Sequence, residues 1–243
     1  LAFALVNGLA TMLVTPQALP RLDFSHGIPP ELRTLVAIPA MLTNNADIEQ
    51  LADDLEVRFL ANRDKHLHFA LVTDFGDASD ESNPEDTALL QLAQKKIEAL
   101  NRKYEATSGD LFFLFHRARL WNDQEQIWMG YERKRGKLAA LNKLLCYGTQ
   151  DAFSSVIGNV PVLAGVKYVI TLDTDTQLSR DSARQFVGAM AHPLNRPRYD
   201  ATLQRVVAGY GILQPRVAAS LMGSSRSRYA RLCSQDSGID PYT

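Results

Sequence analysis

Four short apolar runs rich in β-formers recur along the chain with helix-period segments between them, and this alternation constrains the fold more than any other feature. Residues 34–39 (TLVAIP), 68–73 (HFALVT), 111–115 (LFFLF) and 168–172 (YVITL) contain no Asp, Glu, Lys or Arg and read as buried strands. Between the first two, Ile48, Leu51, Leu55 and Phe59 recur at intervals of three and four behind Asn44 or Asn45, either of which can cap a helix. Asn83 followed by Pro84 opens a second helix, to about Tyr104. A third runs from about Gly136 to Tyr147, and Ser179 caps a fourth that ends near Ala191. Residues 206–213 read as one more strand, before a last helical stretch past Val217. Strands alternating with helices predict an α/β fold: a mostly parallel sheet covered on both faces, with ligands at the carboxyl ends of the strands.

Charge narrows the range of partners. With 26 Lys plus Arg against 27 Asp plus Glu, the net charge is −1, so no global field draws the chain to nucleic acid, and any anion site is local. Cys146 and Cys233 lie far apart, lack metal-ligand spacing, and read as reduced structural thiols. The five histidines have no metal spacing either, so His116 is assigned to packing or hydrogen bonding. Residues 1–14 carry no charge and precede Pro16 and Pro20. The run is shorter than the roughly 20 residues of a full span and has neither a basic leader nor a cleavage site, so it reads as the end of a transmembrane helix, with a soluble core helix as the alternative. Arg21 then fits a cytoplasmic exit. The expected division is a membrane end and linker over residues 1–20 and one α/β domain over residues 21–243.

Three clusters carry chemistry. Asp173-Thr174-Asp175 directly follows an apolar strand, where two carboxylates two residues apart can serve one hard divalent cation, Mg²⁺ or Mn²⁺, together with substrate phosphates. A solvated acidic turn ahead of a helix is the competing reading. Asp74 and Asp77 end the second strand, where an acid can accept from a ribose hydroxyl or a base N–H; an acidic turn is again the alternative. Residues 132–142 (ERKRGKLAALN) gather Arg133, Lys134, Arg135 and Lys137 at a helix start. Cations there oppose the helix dipole, which argues for a bound phosphate over a merely solvated basic patch.

Together these segments resemble the inverting GT-A glycosyltransferases, and residues 116–142 (HRARLWNDQEQIWMGYERKRGKLAALN) and 209–217 (GYGILQPRV) resemble the cyclic β-1,2-glucan synthases of bacterial inner membranes. The resemblance implies a Rossmann-like GT-A domain in which Asp74 meets the nucleoside, Lys137 and Asn142 lie beside the donor, and Asp173 with Asp175 form the metal motif that meets it; Asp77 at the strand end and Arg135 in the basic segment are added to the donor site from their positions. It further implies UDP-glucose as donor, a β-1,2-glucan acceptor, attachment to the membrane through flanking helices and a cytoplasmic active site. The family places the catalytic base after the residues 240–243 (DPYT), so the domain is expected to be incomplete at its carboxyl end and inactive by itself. Two rivals stay open. A nucleotide-binding module without transferase activity has the same signature. The strand-then-DxDxT pattern also fits haloacid-dehalogenase-type phosphatases, but these need a later lysine and a second acidic pair, and the chain after Asp175 offers no lysine and only the scattered Asp181, Asp200, Asp236 and Asp240.

Overall fold

A computed structural model describes Val6 and residues 18–104 and 109–215. The apolar run at residues 1–14, apart from Val6, and the helical stretch expected past Val217 lie outside these residues. Among the described residues no helix is long and apolar enough to cross a membrane. The chain forms two compact units, Leu22–Gly188 and a second made of Leu1–Arg21 with Ala189–Thr243.

The larger unit is a mixed α/β structure around a five-stranded sheet of order β6-β3-β2-β1-β7. Strands β1 (Thr34–Leu42), β2 (Leu67–Phe75), β3 (Phe112–Arg117) and β7 (Tyr168–Thr171) are parallel, and β6 (Ser155–Ile157) runs antiparallel beside β3. β2 and β3 are almost wholly buried, as strands sandwiched between helical layers must be. Helices α1 (Asn45–Ala61) and α2 (Asp86–Lys103) cover one face, where Ile48, Leu55 and Phe59 from α1 and Ile97 and Leu100 from α2 pack on Val36, Phe69 and Phe112. Helix α3 (Arg133–Tyr147) covers the other face with Leu141 and Leu144 against Ala70, Phe113 and Phe115. The strand order reverses at β1, with β2 on one side and β7 on the other. In an open α/β sheet this reversal opens the crevice in which ligands bind.

Of the expected helix starts, α1 uses one of its two candidate caps, while α2, α3 and the fourth helix shift, α3 beginning at Arg133 rather than near Gly136. Asn44, not Asn45, caps α1, accepting from the Asp47 amide at 2.9 Å. α2 begins at Asp86 rather than at Pro84, because the Asp86 carboxylate turns back to accept from the Asn83 amide at 2.7 Å and pairs with buried Arg119. α4 (Ser182–Ala191) begins three residues after Ser179. Its first turn is capped by a side chain distant in sequence: Asn62 Oδ1 accepts from the Ala183 amide at 3.1 Å. Cys146 is exposed on α3 and free, so it is no part of the packed interior.

In the smaller unit β8 (Arg198–Asp200) and β9 (Arg205–Ala208) form an antiparallel ribbon. The strand expected over residues 206–213 stops at Ala208 because Gly209 turns the chain at φ 69°, where a Cβ would lie 1.9 Å from the Arg196 carbonyl oxygen. Buried Asn195 fastens this unit, its Nδ2 donating to the carbonyls of Pro20 at 2.7 Å and Ala189 at 2.8 Å.

Candidate active site

Asp74 occupies the carboxyl end of β2 with its side chain only 4% exposed. A buried carboxylate must be paired. Arg117, opposite it on β3, donates Nε to Oδ1 and Nη2 to Oδ2, each at 2.8 Å, and the Lys137 ammonium lies 3.2 Å from Oδ2. Lys137 also donates to the Ala40 carbonyl of β1 at 2.7 Å. Burial lowers the Lys137 pKa and the adjacent Asp74 carboxylate opposes that shift. Two glycines make the approach possible. A Cβ at Gly130 would lie 2.1 Å from Asp74 Oδ2, and one at Gly136 would lie 2.0 Å from the Tyr131 carbonyl oxygen. The chain enters α3 through Glu132 at φ 53° and Arg133 at φ 46°, a left-handed pair of non-glycine residues that turns the Tyr131 and Arg133 carbonyls toward Arg117 Nη2. Asp74 and Lys137, assigned from sequence to nucleoside and phosphate, thus meet in one ion cluster that ties together the ends of β1, β2 and β3 and the start of α3.

The remaining cations of the basic segment reach other acids. Arg133 pairs with Asp77 at 2.9 Å and Glu125 at 3.2 Å, Lys134 pairs with Asp173, and Arg135 pairs with Glu132. The counter-charge that lets four cations gather at a helix start is therefore carboxylate from this chain, where the sequence argument invoked phosphate. α3 also bridges the two acidic strand ends, from Asp77 beside β2 to Asp173 beyond β7. Arg135 is 80% exposed, and Asn142, exposed on α3, accepts a 3.7 Å contact from Cys146 Sγ. Five residues on a helix amount to about 140° of rotation, so Lys137 and Asn142 do not share a face.

Asp173 and Asp175 are exposed on the loop that leaves β7, at the reversal of strand order. Among the described residues no group of three or more His, Cys, Asp or Glu is placed to hold a metal ion. The donor set is two open carboxylates, which suits a hard cation that takes its other oxygens from phosphate and water. The loop is held from behind by α1. Arg58, 3% exposed, donates to the carbonyls of Thr174 and Thr176, and Asn62 donates to those of Leu178 and Ser179. Neither residue stands out in the sequence, where they read as helix positions; the one available sign is an arginine and an asparagine spaced four apart on the buried stripe of α1.

Other side chains also find partners. His116 Nδ1 lies 2.9 Å from Thr73 Oγ1 at the strand register of β2 and β3, as a hydrogen-bonding rather than metal-binding residue. Burial pushes its pKa down to about 4. A short hairpin, β4 (Leu120–Asn122) and β5 (Ile127–Met129), pairs Trp121 with Trp128 across the ribbon and bonds the Trp128 main chain to Ala78, beside Asp77. This hairpin is not legible in the sequence because three residues per strand are too few to show alternation.

No family model matches the chain. Over 242 residues, 99% of its length, it is 42% identical to the cyclic beta-(1,2)-glucan synthase NdvB of Rhizobium meliloti (strain 1021). It spans 8% of the length of that relative. Over almost its whole length the chain thus corresponds to one segment of a cyclic β-(1,2)-glucan synthase, and its mostly parallel α/β sheet is consistent with a Rossmann-like glycosyltransferase domain.

Proposed function

We propose that this chain is the nucleotide-sugar-binding part of an inverting GT-A glycosyltransferase that transfers glucose from UDP-glucose to a growing β-1,2-glucan. The observation that carries the reading is the placement of Asp173 and Asp175, exposed and two residues apart, on the loop after β7 where the strand order reverses. The relationship to a glucan synthase supports a sugar nucleotide as the ligand of that crevice. When bound there, Mg²⁺ or Mn²⁺ would neutralise the departing diphosphate. Around it the chain's own residues orient the donor. Asp74 and Lys137 form the floor, Asn142 is assigned to the donor by family resemblance and Asp77 and Arg135 by their places at the strand end and in the basic segment, and Lys134 can exchange its exposed Asp173 partner for a phosphate oxygen. The cationic α3 start thus supplies fixed positive charge at the leaving group, an electrostatic contribution to transfer. In this proposal the domain works on the cytoplasmic face of a bacterial inner membrane, with membrane helices flanking it.

Calorimetry of UDP-glucose binding with Mn²⁺ and with excess chelator tests the reading. Binding at least tenfold tighter with the metal, and loss of that gain in Asp173→Asn and Asp175→Asn, is the expected result. Equal affinity under both conditions would remove the metal role of these two residues.

A further inference from the structure

Arg58 is a charged group that the proposed chemistry does not use directly. It sits near the end of α1 and is 3% exposed; among the described residues no carboxylate lies within salt-bridge distance of it, and the charges of Asp54 and Asp175 reach it only through space. Its partners are main-chain oxygens 116 and 118 residues away: Nη2 donates to Thr174 at 2.6 Å and to Thr176 at 2.8 Å, and Nε donates to Thr176 at 3.0 Å. Nη1 is buried with no partner. Burying a guanidinium this way is costly, and an apolar side chain would fill the same space without that cost, so packing alone does not account for the residue. The two carbonyls it grips, of Thr174 and Thr176, lie on either side of Asp175, and Thr174 directly follows Asp173. Asn62, the residue that ends α1, continues the grip on Leu178 and Ser179 at 3.3 and 3.1 Å and caps α4.

We propose that Arg58, seconded by Asn62, is the positioning residue of the acidic loop: it fixes the main chain on both sides of Asp175 from the buried side, so that the carboxylates of Asp173 and Asp175 stay presented together on the open side. The inference rests on the metal-dependent reading above. A planar fork reaching two carbonyls fixes both the position and the rotation of the segment between them, which a lysine ammonium or a water cannot do. The two acids then meet a cation without first paying the ordering entropy of a free loop.

The test measures Mn²⁺ binding to the chain in the presence of UDP, from the electron paramagnetic resonance signal of free Mn²⁺. Arg58→Lys and Arg58→Met are compared with the unmodified chain. Leu55→Ala, a core truncation on the same helix, is the control for general loss of stability. We expect Arg58→Met to weaken Mn²⁺ binding at least tenfold, Arg58→Lys to fall between, and Leu55→Ala to leave it within twofold. In Arg58→Lys, hydrogen exchange of the amides of residues 174–179 should speed up by at least tenfold while β2 and β3 stay protected. If Arg58→Met does not fold, Arg58→Lys decides by these same two measurements. Binding and exchange like the unmodified chain in Arg58→Lys and Arg58→Met would overturn the inference alone, since the metal reading would stand. Failure of the unmodified chain to bind Mn²⁺ with UDP would overturn the metal reading, and the inference with it.

Discussion

Acids end both β2 and β7, and the structure treats them in opposite ways. Asp74 is buried, with both oxygens taken by Arg117 and Lys137, whereas Asp173 and Asp175 are exposed, with Asp173 paired to exposed Lys134 and the main chain of the loop held from behind by Arg58. A carboxylate removed from water is stable only when its charge is matched on the spot, and such a group is no longer free to exchange partners at low cost. An exposed carboxylate keeps its lone pairs hydrated, and its ion pair with an exposed lysine is worth about 0–1 kcal/mol, so a stronger cation displaces that lysine easily. The comparison teaches that the same residue type at equivalent strand ends can serve as framework or as ligand, and that burial separates the two.

The sharpest way to break this comparison is to neutralise the buried acid. Asp74→Asn keeps the shape but leaves Arg117 and Lys137 buried without counter-charge, and it should cost about 3–5 kcal/mol in urea unfolding. A loss below about 1 kcal/mol would mean that the cluster is not framework. Acid attacks the sheet at both ends of its strands, at His68 near the start of β2 and at His116 beside Thr73 near its end. His68 and His116 are buried and neutral, with burial as the leading cause of pKa values near 4 against an ordinary 6.5. Because the unfolded chain takes up protons first, stability is complete above about pH 6.5 and is lost progressively toward pH 4; each histidine should cost about 2 kcal/mol by pH 5. His116→Gln should flatten part of that slope in unfolding curves recorded from pH 7 to pH 5.

Gly130→Ala drives a Cβ against Asp74 Oδ2, at 2.1 Å before relaxation, and should cost about 1–3 kcal/mol, visible as a lowered Tm. The open acids mark the other extreme. Asp173→Ala and Asp175→Ala should each change stability by less than about 0.5 kcal/mol, as surface substitutions do, while abolishing the Mn²⁺ enhancement of UDP-glucose binding. A large stability loss with unchanged metal response would reverse the roles drawn here for β2 and β7.

Much of the fold was legible in the residues. The apolar runs at residues 34–39, 68–73, 111–115 and 168–172 each became a strand of the central sheet, and Ile48, Leu51, Leu55 and Phe59 became the buried stripe of α1. Less legible were elements whose causes lie far away in the chain. β6 is only three residues long and exists because it pairs antiparallel with β3, and α4 starts where Asn62 caps it rather than at Ser179. For the candidate site, the acids and the basic segment were visible as clusters, but not that Arg117 would join Asp74 or that Arg133 and Lys134 would pair with Asp77 and Asp173.

What the sequence determined by itself was therefore the set of elements, their alternation and the acids at two strand ends, because hydrophobic period and position relative to a strand are local properties. Only the tertiary structure decided which acid is buried and which is open, and which distant arginine holds which loop. Burial and ion pairing depend on strand order and on the approach of segments more than 100 residues apart in sequence, such as Arg58 and Thr174, and no local pattern encodes that approach.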